Sequence, residues 1–122
     1  MKFFLIMQTD LQKKIEDAIF AFSIGSDVEA ESLLLEIVAQ YPYSLDAQRA
    51  LAEVSLALKK LDQAEDACRK ALGISPDDLT SVVSLARILV QKGDKEGAEV
   101  ASAKARLLGW KEELSEEDSG HQ

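Results

Sequence analysis

Like residues recur along this chain at intervals of 34. Leu11, Leu45 and Leu79 form one ladder, and Ala18, Ala52 and Ala86 a second. The pairs Ala30-Glu31, Ala64-Glu65 and Ala98-Glu99 form a third. Pro42 and Pro76 keep the same interval, with Trp110 where a third proline would fall. A fixed period of this size marks a stack of helical units, each unable to bury its apolar face without a neighbour. Such stacks present surfaces rather than enclose a catalytic pocket.

The helices follow from apolar spacing and from the residues that interrupt it. Thr9 or Asp10 is expected to start the first helix, with Thr9 and Gln12 at capping-box spacing. Leu11, Ile15, Ala18, Ile19 and Phe22 give its apolar stripe, and Gly25-Ser26 breaks it. Asp27 is read as the cap of a second helix carrying Ala30, Leu33, Leu34, Ile37 and Val38, which ends at Tyr41-Pro42 because the residue before a proline disfavours the α region. Ser44 caps a third helix with Leu51, Ala52, Val54 and Leu58. After Lys59-Lys60 comes a fourth with Leu61, Ala64, Ala67, Cys68, Ala71 and Leu72, stopped at Ser75-Pro76. Asp77-Asp78 opens a fifth with Val82, Leu85, Ala86 and Leu89. After the Gly93-Asp94 turn, Ala98, Ala101, Ala105 and Leu108 line a sixth. Gly109 is expected to close it in a left-handed conformation, with Trp110 folded back on the last turn. Residues 111–118 are read as a short seventh helix and residues 119–122 as frayed. The organisation is therefore an N-terminal apolar segment or cap (1–10), units at 11–44, 45–78 and 79–112, and an acidic tail (113–122).

Charge and composition exclude several classes of function. The net charge is −8 over 122 residues, and half of it arises where Lys111 faces Glu112, Glu113, Glu116, Glu117 and Asp118. Nucleic acid and anionic membrane surfaces both call for clustered Lys and Arg, so neither is an expected partner. The one histidine, His121, sits in the tail, which leaves no basis for a histidine triad or a metal cluster. Adjacent carboxylates such as Glu16-Asp17 and Asp77-Asp78 point in different directions on a helix and make poor acid–base pairs. No enzyme activity, cofactor or metal is expected. Cys68 is the only cysteine; it reads as a small buried apolar residue and fits a reducing cytoplasm.

Phe3–Met7 is too short for a secretory h-region, and Gln8-Thr9-Asp10 lacks a small-residue cleavage pattern. Two readings stay open. The run is either an apolar cap on the first helix pair, or residues 1–6 precede a true start at Met7.

With these residues in view, the chain resembles the tetratricopeptide repeat family. That family's 34-residue helix pair carries a W-x-x-L-G-x-x-Y, A-x-x-x-F, A, P pattern. In the second unit Gln48, Leu51, Ala52, Ser55, Ala64, Cys68, Ala71 and Pro76 fill those places. In the third, Val82, Leu85, Ala86, Leu89, Ala98, Ser102 and Ala105 do so. The first unit keeps Ala18, Ala30 and Pro42 but has Asp17 where Leu belongs. The resemblance covers about residues 11–110. It implies an all-α solenoid of three stacked antiparallel helix pairs, right-handed, with a short C-terminal capping segment.

The resemblance also implies a concave groove lined by the first helix of each pair. By the repeat register, Gln12, Ile15, Ile19 and Phe22 face it from the first unit; Asp46, Arg49, Glu53 and Leu56 from the second; and Thr80, Val83, Arg87 and Val90 from the third. Ile19, Arg49, Glu53, Leu56, Val83, Arg87 and Val90 are the candidate ligand-binding residues. Arg49 and Arg87 would be polar anchors for a carboxylate, against the plainer reading that Arg49, Glu53 and Arg87 neutralise one another. Ile19, Leu56 and Val90 would be apolar anchors. The carboxylate clamp of heat-shock co-chaperones is not carried over, since Ile15, Ile19, Ala50, Thr80 and Ser84 stand at the matching places. The expected function is a non-catalytic adaptor that binds a peptide or protein segment. Two alternatives are a secretion-type chaperone holding an apolar client segment, and a structural subunit that self-associates through Phe3–Met7 or the ends of the stack.

Overall fold

The computed structural model describes residues 2–120, with side chains described through residue 116. His121 and the end of the segment expected to fray lie outside the described residues. Six helices run in order: α1 Lys2–Ser23, α2 Asp27–Gln40, α3 Leu45–Ala57, α4 Leu61–Ile74, α5 Leu79–Lys92 and α6 Lys95–Gly120. Each packs on the next in sequence, and α1 also meets α3, as α3 meets α5. This contact pattern makes three antiparallel pairs, with the first helices of the pairs forming one layer.

The alanine ladders lie between the packed helices, with Ala86 the one partly buried rung. Ala18, Ala30 and Ala64 are fully buried, Ala52 and Ala98 nearly so. Leu34, Val54, Ile88 and Leu89 fill the spaces those small residues leave. A second, smaller cluster of Val82, Ala101 and Leu108 closes the far end of the α5–α6 pair. Cys68 is buried in the central pair, and burial pushes its thiol up to about 12.

The turns within pairs repeat as faithfully as the helices. Ser26, Lys60 and Asp94 donate backbone N–H bonds to the carbonyls of Ala21, Ser55 and Leu89 at 2.9 Å in each case. This is the six-to-one bond of a Schellman ending. Its left-handed residue is Gly25 (φ 85°), Lys59 (φ 62°) or Gly93 (φ 81°). A lysine therefore occupies, in the central unit, a backbone conformation that the outer two assign to glycine.

Four expectations need correction. α1 begins at Lys2, not at Thr9 or Asp10. Thr9 donates its hydroxyl to the carbonyl of Leu5 at 2.9 Å, within the helix, so it caps nothing. Phe3–Met7 contains no residue that stops a helix, and α1 runs through it. Gly109 does not end α6, and Trp110 does not fold back: the helix passes through both to Gly120, leaving Trp110 exposed. A glycine inside a helix costs only about 1 kcal/mol, and no proline follows. The separate seventh helix is thus a continuation of α6. Finally, the α2 cap position is Ser26, without a side-chain cap bond, and Asp27 is the first helical residue.

Candidate interaction groove

The layer of first helices walls a groove of about 710 Å³. From α1 come Leu11, Gln12, Ile15, Ile19 and Phe22; from α3 come Asp46, Arg49, Ala50 and Glu53. Three of the candidate residues, Ile19, Arg49 and Glu53, meet there. Val83, Arg87 and Val90 are exposed on α5 beyond that space. Val90 lines a separate depression with Lys95, Glu99, Ser102 and Arg106. Leu56 must be withdrawn as a groove residue: it is 4% exposed and belongs to the core. Leu56 stands only about 60° around α3 from Glu53, and that small rotation brings it into the main core cluster.

The polar side of the groove is neutralised in place. Arg49 forks onto Asp78, its Nε donating to Oδ2 at 2.9 Å while Nη2 bonds Oδ1. Its Nη1 reaches Asp46 at 3.2 Å. The expected Arg49–Glu53 pair does not form. Asp78 is the cap of α5, accepting from the Ser81 backbone N–H at 3.0 Å, so Arg49 ties the second unit to the start of the third. The Arg49 fork, the largest effect on Asp78, and the Ser81 bonds hold that carboxyl at about 2, below its ordinary 3.8. Glu53 accepts from the Ser84 hydroxyl at 2.7 Å and has Arg87 3.4 Å away. Glu53 and Arg87, one period apart on neighbouring first helices, do pair as the plainer reading supposed.

Two further carboxylates brace the stack away from the groove. Glu31, nearly buried on α2, accepts from Lys60 at 2.7 Å and Gln63 at 2.9 Å, and both bonds lower its pKa. Glu65 on α4 does the same with Lys92 at 2.8 Å and Arg69 at 2.7 Å. These are two rungs of the Ala-Glu ladder; Glu31 grips the start of α4 and Glu65 the end of α5.

The sequence reading missed how far the apolar wall extends. Because α1 begins at Lys2, Phe4 and Met7 line a second apolar pocket of about 350 Å³ with Leu11, Tyr41, Pro42 and Tyr43. Gln8 and Leu11 belong to both pockets. The Phe3–Met7 run was the available signal, masked by an apparent cap at Thr9. Among the described residues no group of three His, Cys, Asp or Glu side chains could hold a metal ion. No helix among the described residues is long and apolar enough to cross a membrane.

No protein-family model matches the chain, nor does any curated protein. Solved structures do. A MamA crystal structure superposes with TM-score 0.80 at 21% identity, covering 85% of this chain and 61% of that one. The fold is that of the tetratricopeptide stack. The type III secretion translocator chaperone SycD of Yersinia enterocolitica gives TM-score 0.80 at 18% identity over 83% of this chain and 70% of its own. The second TPR of Spaghetti (RPAP3), bound to the HSP90 peptide SRMEEVD, gives 0.77 at 15% over 80% and 91%. At these identities the likeness is one of fold.

Proposed function

We propose that this protein is a non-catalytic interaction module that holds an apolar segment of another protein in the α1–α3 groove. The observation that carries this reading is the composition of the groove. Leu11, Ile19 and Phe22 offer apolar surface over the buried Ile15, while Arg49 and Arg87 are already satisfied by carboxylates of the same chain. A carboxylate ligand would have to displace Asp78 from a buried fork, which costs more than a surface arginine would. An apolar ligand displaces only water. The adaptor and the secretion-type chaperone thus converge on one mode of binding. The similarity to SycD and to a type III secretion complex of Aeromonas hydrophila, at TM-score 0.79, supports the chaperone form. The TPR of Spaghetti bound to an HSP90 peptide supports peptide binding by this fold. The single buried, protonated thiol suits a reducing cytoplasm, where we place the protein.

The test uses a panel of fluorescein-labelled peptides, apolar and acidic, read by anisotropy. Apolar members should bind and lose at least tenfold in affinity to Ile19→Asp, a substitution at a half-exposed site that leaves the melt unchanged. Arg87→Ala should alter binding less than twofold. Preference for acidic peptides, or indifference to Ile19→Asp, would refute the apolar mode.

A further inference from the structure

The last helix carries a second apolar surface, independent of the groove. Val100, Ala103, Leu107, Trp110 and Leu114 follow at alternating steps of three and four. The four large members are 60–72% exposed. Steps of three and four sustained over two heptads are the a/d pattern of a left-handed coiled coil. One period earlier, α4 has Asp66, Arg69 and Gly73 at the first three places and the chain has Pro76 at the fourth. The same face is charged in α4 and apolar in α6.

This is not the face on which another repeat would stack. That face bears Glu99, Ser102 and Arg106 where α4 has Glu65, Cys68 and Leu72. Cysteine has become serine and leucine has become arginine, so the end of the stack is polar, as a terminal unit requires. The apolar stripe therefore needs a partner of another geometry.

We propose that it is the seam of an antiparallel two-helix coiled coil between two copies of this chain. Direction follows from volume and charge. A parallel pair would set Trp110 on Trp110 and Ala103 on Ala103, a bulge beside a hole, with Arg106 next to Lys111. An antiparallel pair centred between residues 108 and 109 sets Leu107 against Trp110 of the second copy and Ala103 against Leu114 of the second copy. By two-fold symmetry each contact is made twice. Along one edge Arg106 meets Glu113 of the second copy, also twice. Neither residue has an ion-pair partner among the described residues. Along the other edge Lys104 faces Lys111, an unfavourable pair, but Lys104 is already drawn to the Pro76 carbonyl at 2.6 Å. The arrangement also covers the part of α6 that its own chain leaves bare, residues 111–116, all of which are exposed. Four paired seam residues per copy, Val100 falling opposite position 117, make a contact smaller than a standard interface, which places the dissociation constant in roughly the micromolar range.

Sedimentation of the full chain from about 5 to about 500 µM tests this. The expected result is a monomer–dimer equilibrium that Leu107→Glu with Trp110→Glu weakens at least tenfold, with circular dichroism and the dilute-protein melt unchanged. Arg106→Glu should weaken it several-fold, and Arg106→Glu with Glu113→Arg should restore it. Ala103→Cys with Leu114→Cys should give an oxidised dimer, and Ala103→Cys alone should not, native Cys68 being buried. A monomer throughout the range overturns the proposal. So does a dimer that survives the double glutamate variant, which would move the contact to Phe3–Met7. Crosslinking by Ala103→Cys alone, or failure of the charge reversal to restore the dimer, overturns the antiparallel register.

Discussion

The Asp78 carboxylate closes α5 and binds that helix to α3 through Arg49. Arg49→Ala removes a forked, charge-assisted contact to a side chain that is only 7% exposed, and should cost about 1–3 kcal/mol. Arg87→Ala removes a 3.4 Å contact between exposed groups and should cost about 0–1 kcal/mol. Urea titrations of the two variants measure the difference directly; equal midpoints would show that the fork contributes nothing. The same carboxylate sets an acid limit. Its folded-state pKa of about 2 lies below the ordinary 3.8, so between these values the unfolded chain binds the extra proton and stability rises with pH. The contribution is complete above pH 3.8 and disappears as pH falls through about 2. Asp78→Asn should lower stability at neutral pH and flatten its decline across that window, as thermal melts at stepped pH would record. Little of this was legible in the sequence. Asp78 reads as a cap, but its partner stands 29 residues away on a helix whose rotation the ladder constrains only coarsely. Arg49 read as ligand-facing because its register is right; what it faces is its own chain.

At the scale of the element, the Schellman turns expose a local conflict. The left-handed region costs a residue with a Cβ roughly 1–2 kcal/mol, and Lys59 occupies it at φ 62° where Gly25 and Gly93 serve elsewhere. Lys59→Gly gives back part of that in unfolded-state entropy and should stabilise the protein by about 0.5–1 kcal/mol. A lower denaturation midpoint for that variant would mean that the turn holds no strain. The turns, the paired helices and the alanine crossings were readable because each is fixed by residues within one repeat and then repeated. The ends of α1 and α6 were not. Thr9 and Gly109 carry the local chemistry of a cap and a stop, yet no proline or competing turn enforces either, and helix continues where nothing prevents it. The groove suffered the same ambiguity: Ile19 and Leu56 both lie on a first helix with apolar character, and only packing shows that one faces water and the other the core.

Across the whole molecule, contacts run between neighbours: consecutive helices, and first helices of adjacent pairs. Such an array divides its stability into local terms, and the core itself is divided. The main cluster extends from Ile15 to Ala98, while Val82, Ala101 and Leu108 form a separate group at the far end. Leu108→Ala should therefore loosen α6 without opening the central pair to the same degree. Cys68 supplies the means to see this. A thiol 1% exposed and pushed up to about 12 is inert toward disulfide reagents while α3 and α4 remain closed. Each labelling event then dates one opening of the middle of the stack, so the chain carries its own stopwatch at its centre. If Leu108→Ala quickens labelling less than twofold while lowering the helical melt, the ends breathe on a faster clock than the middle. Labelling that quickens in step with the whole loss of stability would mean that all six helices keep a single time.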